Sequence, residues 1–561
     1  MREGIRILLN HGETSHRVTS APDGMFELDY SLARSEKYYG MMPKYSGRLG
    51  FVKDSKTFID AIKDTSRYSS IEFQCKLRNR QTLIYNDFLT GVINLANYSQ
   101  EKNKTFVDFE GDEIEMKFNS RHEIEIPYNR MTSFNGTALP GFTYDYKSLC
   151  LQGVGTSKTV ESIHPHEAFS SVLQQILDLS YPCLYAPIFG RTEILSPENE
   201  NTYYSEDGEL SKKMLFKGTW GRGIDDDLTF SLASLFEFYN KLMPLGLGFA
   251  EDYQGRTIIV IDKRENFFYE QTTIELDRNK ISDLRCELGR EFQHTEYEVG
   301  PAKKVKDGVA YGKSEYNVKT NYSNLNIMGG EKVDLINIVR TDSVAINDLI
   351  TNYTDSSEEC EYDEDIFLVD AFDVEGESWD MTNYKTENYD SVSGIEDDPG
   401  LYYNLDFSPG RIIEKYFGSW FNIGLQDLDG AIKYNKAETL SKLATLRLDD
   451  TATLEEKEDI LISILETPIM TGNVITCNYP LKPEDLTAIK ESPLGQISFY
   501  NYLTKAWDAF WVKEVNTKAT SEKTTFVGYQ CSTLARELGL LLNEDGSYML
   551  NEDGTFIYLE Q

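Results

Sequence analysis

Apolar residues in this chain recur mainly at every second position, and that period limits what it can build. Ser70–Leu77 (SIEFQCKL) sets Ile71, Phe73, Cys75 and Leu77 on one side and Glu72, Gln74 and Lys76 on the other, as a half-buried strand requires. Ile114-Glu115-Met116-Lys117-Phe118 alternates in the same way, and Thr257-Ile258-Ile259-Val260-Ile261 is a continuous run suited to a buried strand. Helical spacing is confined to shorter stretches. Asp54–Lys63 is one, and His166–Leu179 is another, entered through Pro165, with Phe169, Val172, Leu173, Ile176 and Leu177 on one face. Asp227–Met243 carries Leu228, Leu232, Leu235, Phe236 and Tyr239, with Asp225–Asp227 suited to the positive end of a helix. Ser408-Pro409 predicts a cap and first turn for a helix over Arg411–Trp420. Thr453-Leu454-Glu455-Glu456 has the form of a capping box opening a helix to about Leu465. The expected class is a multidomain α+β chain, predominantly antiparallel β with interspersed short helices.

At about 100–200 residues per domain, a chain of 561 residues holds several cores. The composition shifts predict a β-rich domain over 1–135, an α+β domain over 136–300, and a second α+β domain over 301–540 that carries an acidic insertion at 355–398. A C-terminal β-meander is expected over 541–561. There Leu542-Asn543-Glu544-Asp545-Gly546 is echoed by Leu550-Asn551-Glu552-Asp553-Gly554, each Asp-Gly being a two-residue hairpin signal.

Charge excludes several functions. The chain has 92 Asp and Glu against 56 Lys and Arg, a net −36. A surface this negative repels phosphate, which argues against sequence-specific nucleic-acid binding and against anionic membranes. With hydrophobic residues at 40% and aromatic residues at 12%, the acidity does not mean disorder. Much of it is local: Asp355–Asp398 holds 17 acids and one lysine. Because Ile366-Phe367-Leu368-Val369, Phe372 and Trp379 interrupt that stretch, it is expected to be an excursion docked on something rather than a free tail. The N-terminus lacks the apolar core of a signal peptide, and no run approaches the length of a membrane span, so a chain made in a reducing cytosol and not exported by the general secretory route is expected. Seven widely spaced cysteines without a C-x-x-C pair read as buried free thiols.

No catalytic, cofactor-binding or metal-binding residue emerges. Gly153-Val154-Gly155-Thr156-Ser157-Lys158-Thr159 has the composition of a phosphate loop. The glycine needed before the lysine is Ser157, however, and the one needed five residues earlier is Gln152. Gly246-x-Gly248 lacks the third glycine of a dinucleotide fingerprint, where Glu251 stands. In His164-Pro165-His166-Glu167 the proline breaks the helical i, i+4 pairing of metalloprotease ligands. Glu358–Asp365 has no glycine at the sharp turn of an EF-hand. Carboxylate pairs for glycoside hydrolysis carry no information among 92 acids. Trp379, or Trp507 with Trp511, offers an aromatic platform for a glycan, although the i, i+4 spacing of the latter pair also fits a core or interface helix.

Several segments carry a resemblance. Leu32-Ala33-Arg34, Tyr38-Tyr39-Gly40 and Tyr45 to Phe51 are similar to the "L-x-R-x-x-x-Y-x-G…Y-x-x-x-L-x-F" opening of structural proteins from phages of gut Bacteroidetes, including the crAss-like group. Thr229–Phe236, Leu247-Gly248-Phe249 and Val260-Ile261-Asp262 resemble the middle of those proteins. Asn404–Arg411 resembles their "N-x-x-x-[ST]-P-x-R" element, and the Asn-Glu-Asp-Gly repeats resemble their C-terminal repeats. The acidic stretch Asp355–Asp398 has no counterpart in that pattern. The resemblance implies a virion tail component with tail-hub-like β-domains: a hub, ring or baseplate subunit forming a homo-oligomeric ring around the DNA conduit used in ejection. It would be made in the host bacterial cytoplasm, dock other tail proteins and use no cofactor or catalytic residue. In such a conduit part of the acidic segment Asp355–Asp398 is expected to face a channel or a basic neighbouring subunit. Two other readings stay open, a tail enzyme acting on glycan or cell wall and a glycan-binding module.

Overall fold

The computed structural model describes residues 5–531 apart from 191–207, 303–318, 382–406, 422–429 and shorter stretches that include 26–28, 66–69, 79–84, 139–146, 325–330, 354–359, 374–377 and 447–452. The meander expected at 541–561 lies outside the described residues. The chain forms a multidomain, predominantly antiparallel β structure with short helices between strands. It divides into two compact units that do not follow the linear order of the sequence. One comprises Met1–Ser120, Phe267–Leu288 and Met470–Gln561, and the other Arg121–Asn266 and Gly289–Ile469.

The first unit contains one module twice. Strand Arg48–Val52 leads into helix Lys53–Thr65, and then strands Ser70–Arg78, Tyr85–Glu101 and Lys104–Glu110 follow as an antiparallel meander whose last strand pairs back on the first. Strand Met470–Tyr479, helix Pro483–Glu491 and strands Gln496–Asn501, Ala506–Lys518 and Thr524–Cys531 repeat this order and every pairing. The cores match in kind. Alternate residues Leu49 and Phe51, Ile71 and Phe73, Ile93 and Leu95, and Val107 and Phe109 fill one, while Ile475 and Cys477, Ile497 and Phe499, Phe510 and Val512, and Phe526 fill the other. Each helix covers its sheet with two apolar residues three apart, Ile59 and Ile62 in one and Leu486 and Ile489 in the other. Burying each such side chain is worth about 1.5–3 kcal/mol.

The second copy is tight around Gly528. A Cβ there would lie 2.0 Å from Phe510 Cδ2 and 2.7 Å from the Trp511 carbonyl oxygen. Gly528→Ala is therefore expected to destabilise this unit by about 1–3 kcal/mol in urea unfolding. Adding Phe510→Leu should cost less than the sum of the two single changes, because both act on one contact.

The second unit is built on a five-stranded sheet in the order Thr156–Ser162, Lys147–Gly153, Ser378–Met381, Ile366–Asp373, Lys213–Lys217. A second five-stranded sheet runs from Glu331–Asn337 through His294–Pro301, Thr320–Ser323 and Ala431–Ala437 to Ile460–Leu461. Helices Pro165–Leu177 and Leu232–Asn240 pack together through stacked Phe169 and Phe189 and the ring of Tyr239.

Three local expectations are corrected. Glu113–Arg121 is a helix rather than a strand, since Ile114 and Phe118 satisfy i, i+4 as well as period two and Phe118 is fully buried. Asp227–Met243 is not one helix: Leu228–Phe230 is a strand paired with Ile126–Tyr128, and the helix starts after Ser231, which exchanges capping hydrogen bonds with Ser234. Thr453–Leu465 forms strands Thr453–Glu455 and Ile460–Leu461 followed by a short turn of 3-10 helix over Ile462–Ile464.

Candidate functional site

The acidic segment is the feature the sequence singled out most strongly, and its described part lies against cations of its own chain. Arg340 is the centre. Its Nε and Nη2 donate to the two oxygens of Asp342 at 2.8 Å each, and its Nη1 donates to Asp365 Oδ2 at 3.0 Å. All three side chains are almost wholly buried, and the guanidinium lies 4.9 Å from the centre of the Tyr362 ring. Asp342 also caps helix Ser343–Asn352 by accepting from the Ala345 N–H.

Around this centre the segment is pinned repeatedly. Arg222 Nη1 donates to both oxygens of Asp363 at 2.8 and 2.6 Å. Lys217 reaches Asp226 at 2.6 Å and Glu364 at 3.5 Å. Lys213 donates to Asp370 at 2.7 Å, with both side chains buried. Backbone follows the charges: Arg340 N–H donates to the Ile366 carbonyl and Leu368 N–H to the Arg340 carbonyl, and Ile366–Asp373 pairs with Lys213–Lys217. In these residues the basic groups belong to the same chain rather than to a neighbouring subunit. Each of the four carboxylates of the segment named here, Asp363, Glu364, Asp365 and Asp370, has a cation of the same chain beside it, which suits an anchor.

The histidine pair lies in the same unit. His164 and His166 stack with centroids 5.3 Å apart, and Trp379 meets His164 edge-on at 4.7 Å. Burial, reinforced by the charges of His166 and Lys147, pushes His164 down from 6.5 to about 2. His166 Nε2 lies 3.2 Å from Glu167 Oε1. Stacked rings do not converge on a point, and among the described residues no three His, Cys, Asp or Glu side chains could hold a metal ion. Trp379 is 2% exposed and forms no platform.

The remaining candidates resolve into scaffold. Lys147–Gly153 and Thr156–Ser162 pair through Gly153 and Thr156, so the phosphate-loop lookalike is a hairpin whose Lys158 and Thr159 lie in a strand rather than at the start of a helix. Gly246 and Gly248 lie inside strand Leu245–Glu251. Cys286 is exposed and Cys150 half-buried, while the other five thiols are buried. Arg34, in the Leu32-x-Arg34 motif, is a structural clamp. Buried against Phe268, whose ring centre is 4.1 Å away, it donates to the carbonyls of Tyr39, Phe267 and Val512.

Trp507 and Trp511 stand on one strand, Ala506–Lys518, rather than on a helix. Trp511 is 2% exposed and packs on Phe268, while Trp507 is 44% exposed. The sequence missed the residues that accompany Trp507, Tyr500 across the hairpin and Tyr502 and Leu503 at its tip; their crowding into one loop was the available signal.

No family model and no curated protein matches the chain. Among solved structures it is similar to the 43 kDa tail protein of prophage MuSo2 from Shewanella oneidensis, at 7% identity and a TM-score of 0.35 over 93% of this chain and 96% of that one. It is also similar to a tail protein from Neisseria meningitidis MC58, at 7% and 0.36 over 94% and 97%. A third is prophage tail protein gp18 from Listeria monocytogenes EGD-e, at 9% and 0.32 over 93% and 94%. Scores of this size mark a loose correspondence and carry no argument about function.

Proposed function

We propose that the chain is a structural, non-enzymatic subunit of a bacteriophage tail, a hub, ring or baseplate component of the virion that closes with its own copies around the DNA conduit and docks other tail proteins. The observation that carries this reading is the module found twice in the first unit. A chain with two like modules offers two like building blocks, so a cyclic assembly holds twice as many modules as chains and builds a closed wall from few subunits. The sequence resemblance to tail proteins of Bacteroidetes-infecting phages, crAss-like ones among them, points the same way. The cations that hold Asp363, Asp365 and Asp370 suit a mechanical anchor more than a reaction centre.

We further propose that part of the acidic segment Asp355–Asp398 faces the channel or a basic neighbour, where negative charge denies phosphate a sticking point; its acids beyond residue 381 lie outside the described residues. Electron microscopy of the purified chain and immunogold labelling of virions test the proposal. Rings of one repeated subunit and label confined to the tail are expected, and a chain absent from virions overturns it.

A further inference from the structure

The hairpin joining Gln496–Asn501 to Ala506–Lys518 ends in an apolar tip. Tyr502 is 48%, Leu503 65% and Trp507 44% exposed. Tyr500 meets Trp507 edge to face at 5.9 Å and Tyr502 at 5.3 Å, so the three rings form one cluster. A tight hairpin turn asks for Gly, Asn or Asp. Nothing about turning the chain calls for leucine and aromatic rings at this place.

The tip is held rigid. Leu503 N–H donates to Asn501 Oδ1 at 2.9 Å, and Lys505 N–H donates to the Asn501 carbonyl at 2.8 Å. The Tyr500 hydroxyl donates to the Lys505 carbonyl at 3.1 Å, and the Tyr502 hydroxyl to the Arg278 carbonyl. Lys505 takes the left-handed conformation, φ 61°, that closes the turn. Exposed apolar area fixed in this way loses little entropy on binding, and Tyr, Trp and Arg are the residues on which interfaces concentrate their energy.

The charge around the cluster is positive. Arg278 stands 6.0 Å from the Tyr500 ring centre, and Lys505 is exposed beside it. Of the nearby acids, Asp277 is paired with Lys280, and Asp508, which accepts from the neutral amides of Asn501 and Gln530, offsets only one of the two positive charges.

The geometry points to this tip as the knob of a self-association contact, seated on a second copy of this chain against an apolar spot rimmed by carboxylates. Charge selects the occupant: a copy of net −36 offers an acid-rimmed apolar spot at Ile124, 49% exposed between exposed Glu123 and Glu125. Knob and acceptor are different surfaces, so the contact is heterologous and propagates from copy to copy until it closes. This inference rests on the self-assembly in the reading above and names the residues that drive it.

Sedimentation equilibrium of the full chain over a range of concentrations tests it. The wild type should associate. Leu503→Glu should weaken association at least about tenfold, and Leu503→Lys should weaken it less, with the gap between the two narrowing at high salt. Leu503→Ala serves as a third variant, and thermal melts of all three should match the wild type, because Leu503 is mostly exposed. A wild type monomeric at every concentration, or a Leu503→Glu chain that associates like the wild type, overturns the knob. If virions still carry the chain in their tails, the tail reading survives that failure; absence from virions sinks the tail reading alone.

Discussion

Replacing Arg340 with leucine is expected to cost the second unit about 3–5 kcal/mol. The guanidinium serves two carboxylates, Asp342 and Asp365, each 1% exposed at the side chain. Without it both remain in a medium that solvates charge poorly, and Asp342 cannot turn to water because it also caps helix Ser343–Asn352. The loss should be local as well as large. In hydrogen exchange, protection of Ile366–Asp373 and Lys213–Lys217 is expected to fall, while that of Phe510–Val515 in the first unit stays. Arg340→Lys should recover only part of the loss, since a point charge cannot hold one carboxylate in a two-pronged pair and reach a second. Neutralising the group as a whole, with Arg340→Met, Asp342→Asn and Asp365→Asn together, should recover much of it, because the damage comes from unpaired charge rather than from a missing attraction. If Arg340→Leu alone unfolds at the wild-type urea midpoint, Arg340 does not anchor the segment.

That anchor also shows what the sequence could and could not convey. Alternation at Ser70–Leu77 and the apolar run at Thr257–Ile261 read correctly as strands, because each strand's burial is written into its own residues. The helices at Lys53–Thr65, Pro165–Leu177 and Pro409–Phe421 were legible from spacing and caps for the same reason. The acidic segment was visible as charge and as apolar anchors. Its partners were not: Arg222 and Asp363 are separated by 141 positions, and no local pattern marks which lysine or arginine will lie opposite which acid. The duplicated module was equally hidden, since Leu49 answers to Cys477 and Val107 to Phe526 only through strand order and register. Trp507 was noticed for its distance from Trp511, yet what sets the two apart is where the strand leaves the cover of Phe268, a tertiary fact.

Acidification is expected to loosen the second unit well before its carboxylates titrate. Burial first, then the charges of His166 and Lys147, holds His164 down from 6.5 to about 2, and burial holds His294 down to about 4. The position of His164 reinforces this, because it precedes helix Pro165–Leu177, whose N-terminal end disfavours a cation. Both rings are neutral when folded and take up a proton when unfolded. Their contribution is therefore fully present above pH 6.5 and is lost as pH falls, down to about 4 for His294 and about 2 for His164. Each proton changes stability by about 1.4 kcal/mol per pH unit. The two together give roughly twice the slope of a single group below pH 6, so stability falls progressively from there toward pH 4. Glu209 adds its own loss only below that range: burial opposes its ionisation, but hydrogen bonds from Lys263, Lys415 and Tyr416 outweigh that and hold it at about 2. Urea unfolding at a series of pH values, followed through Trp379, measures the slope. His164→Phe keeps a ring against Trp379 and removes one of the two protons, so its slope should fall to about 1.4 kcal/mol per unit. A slope the substitution leaves unchanged, or stability that rises on acidification, would mean that His164 takes up its proton in the folded chain.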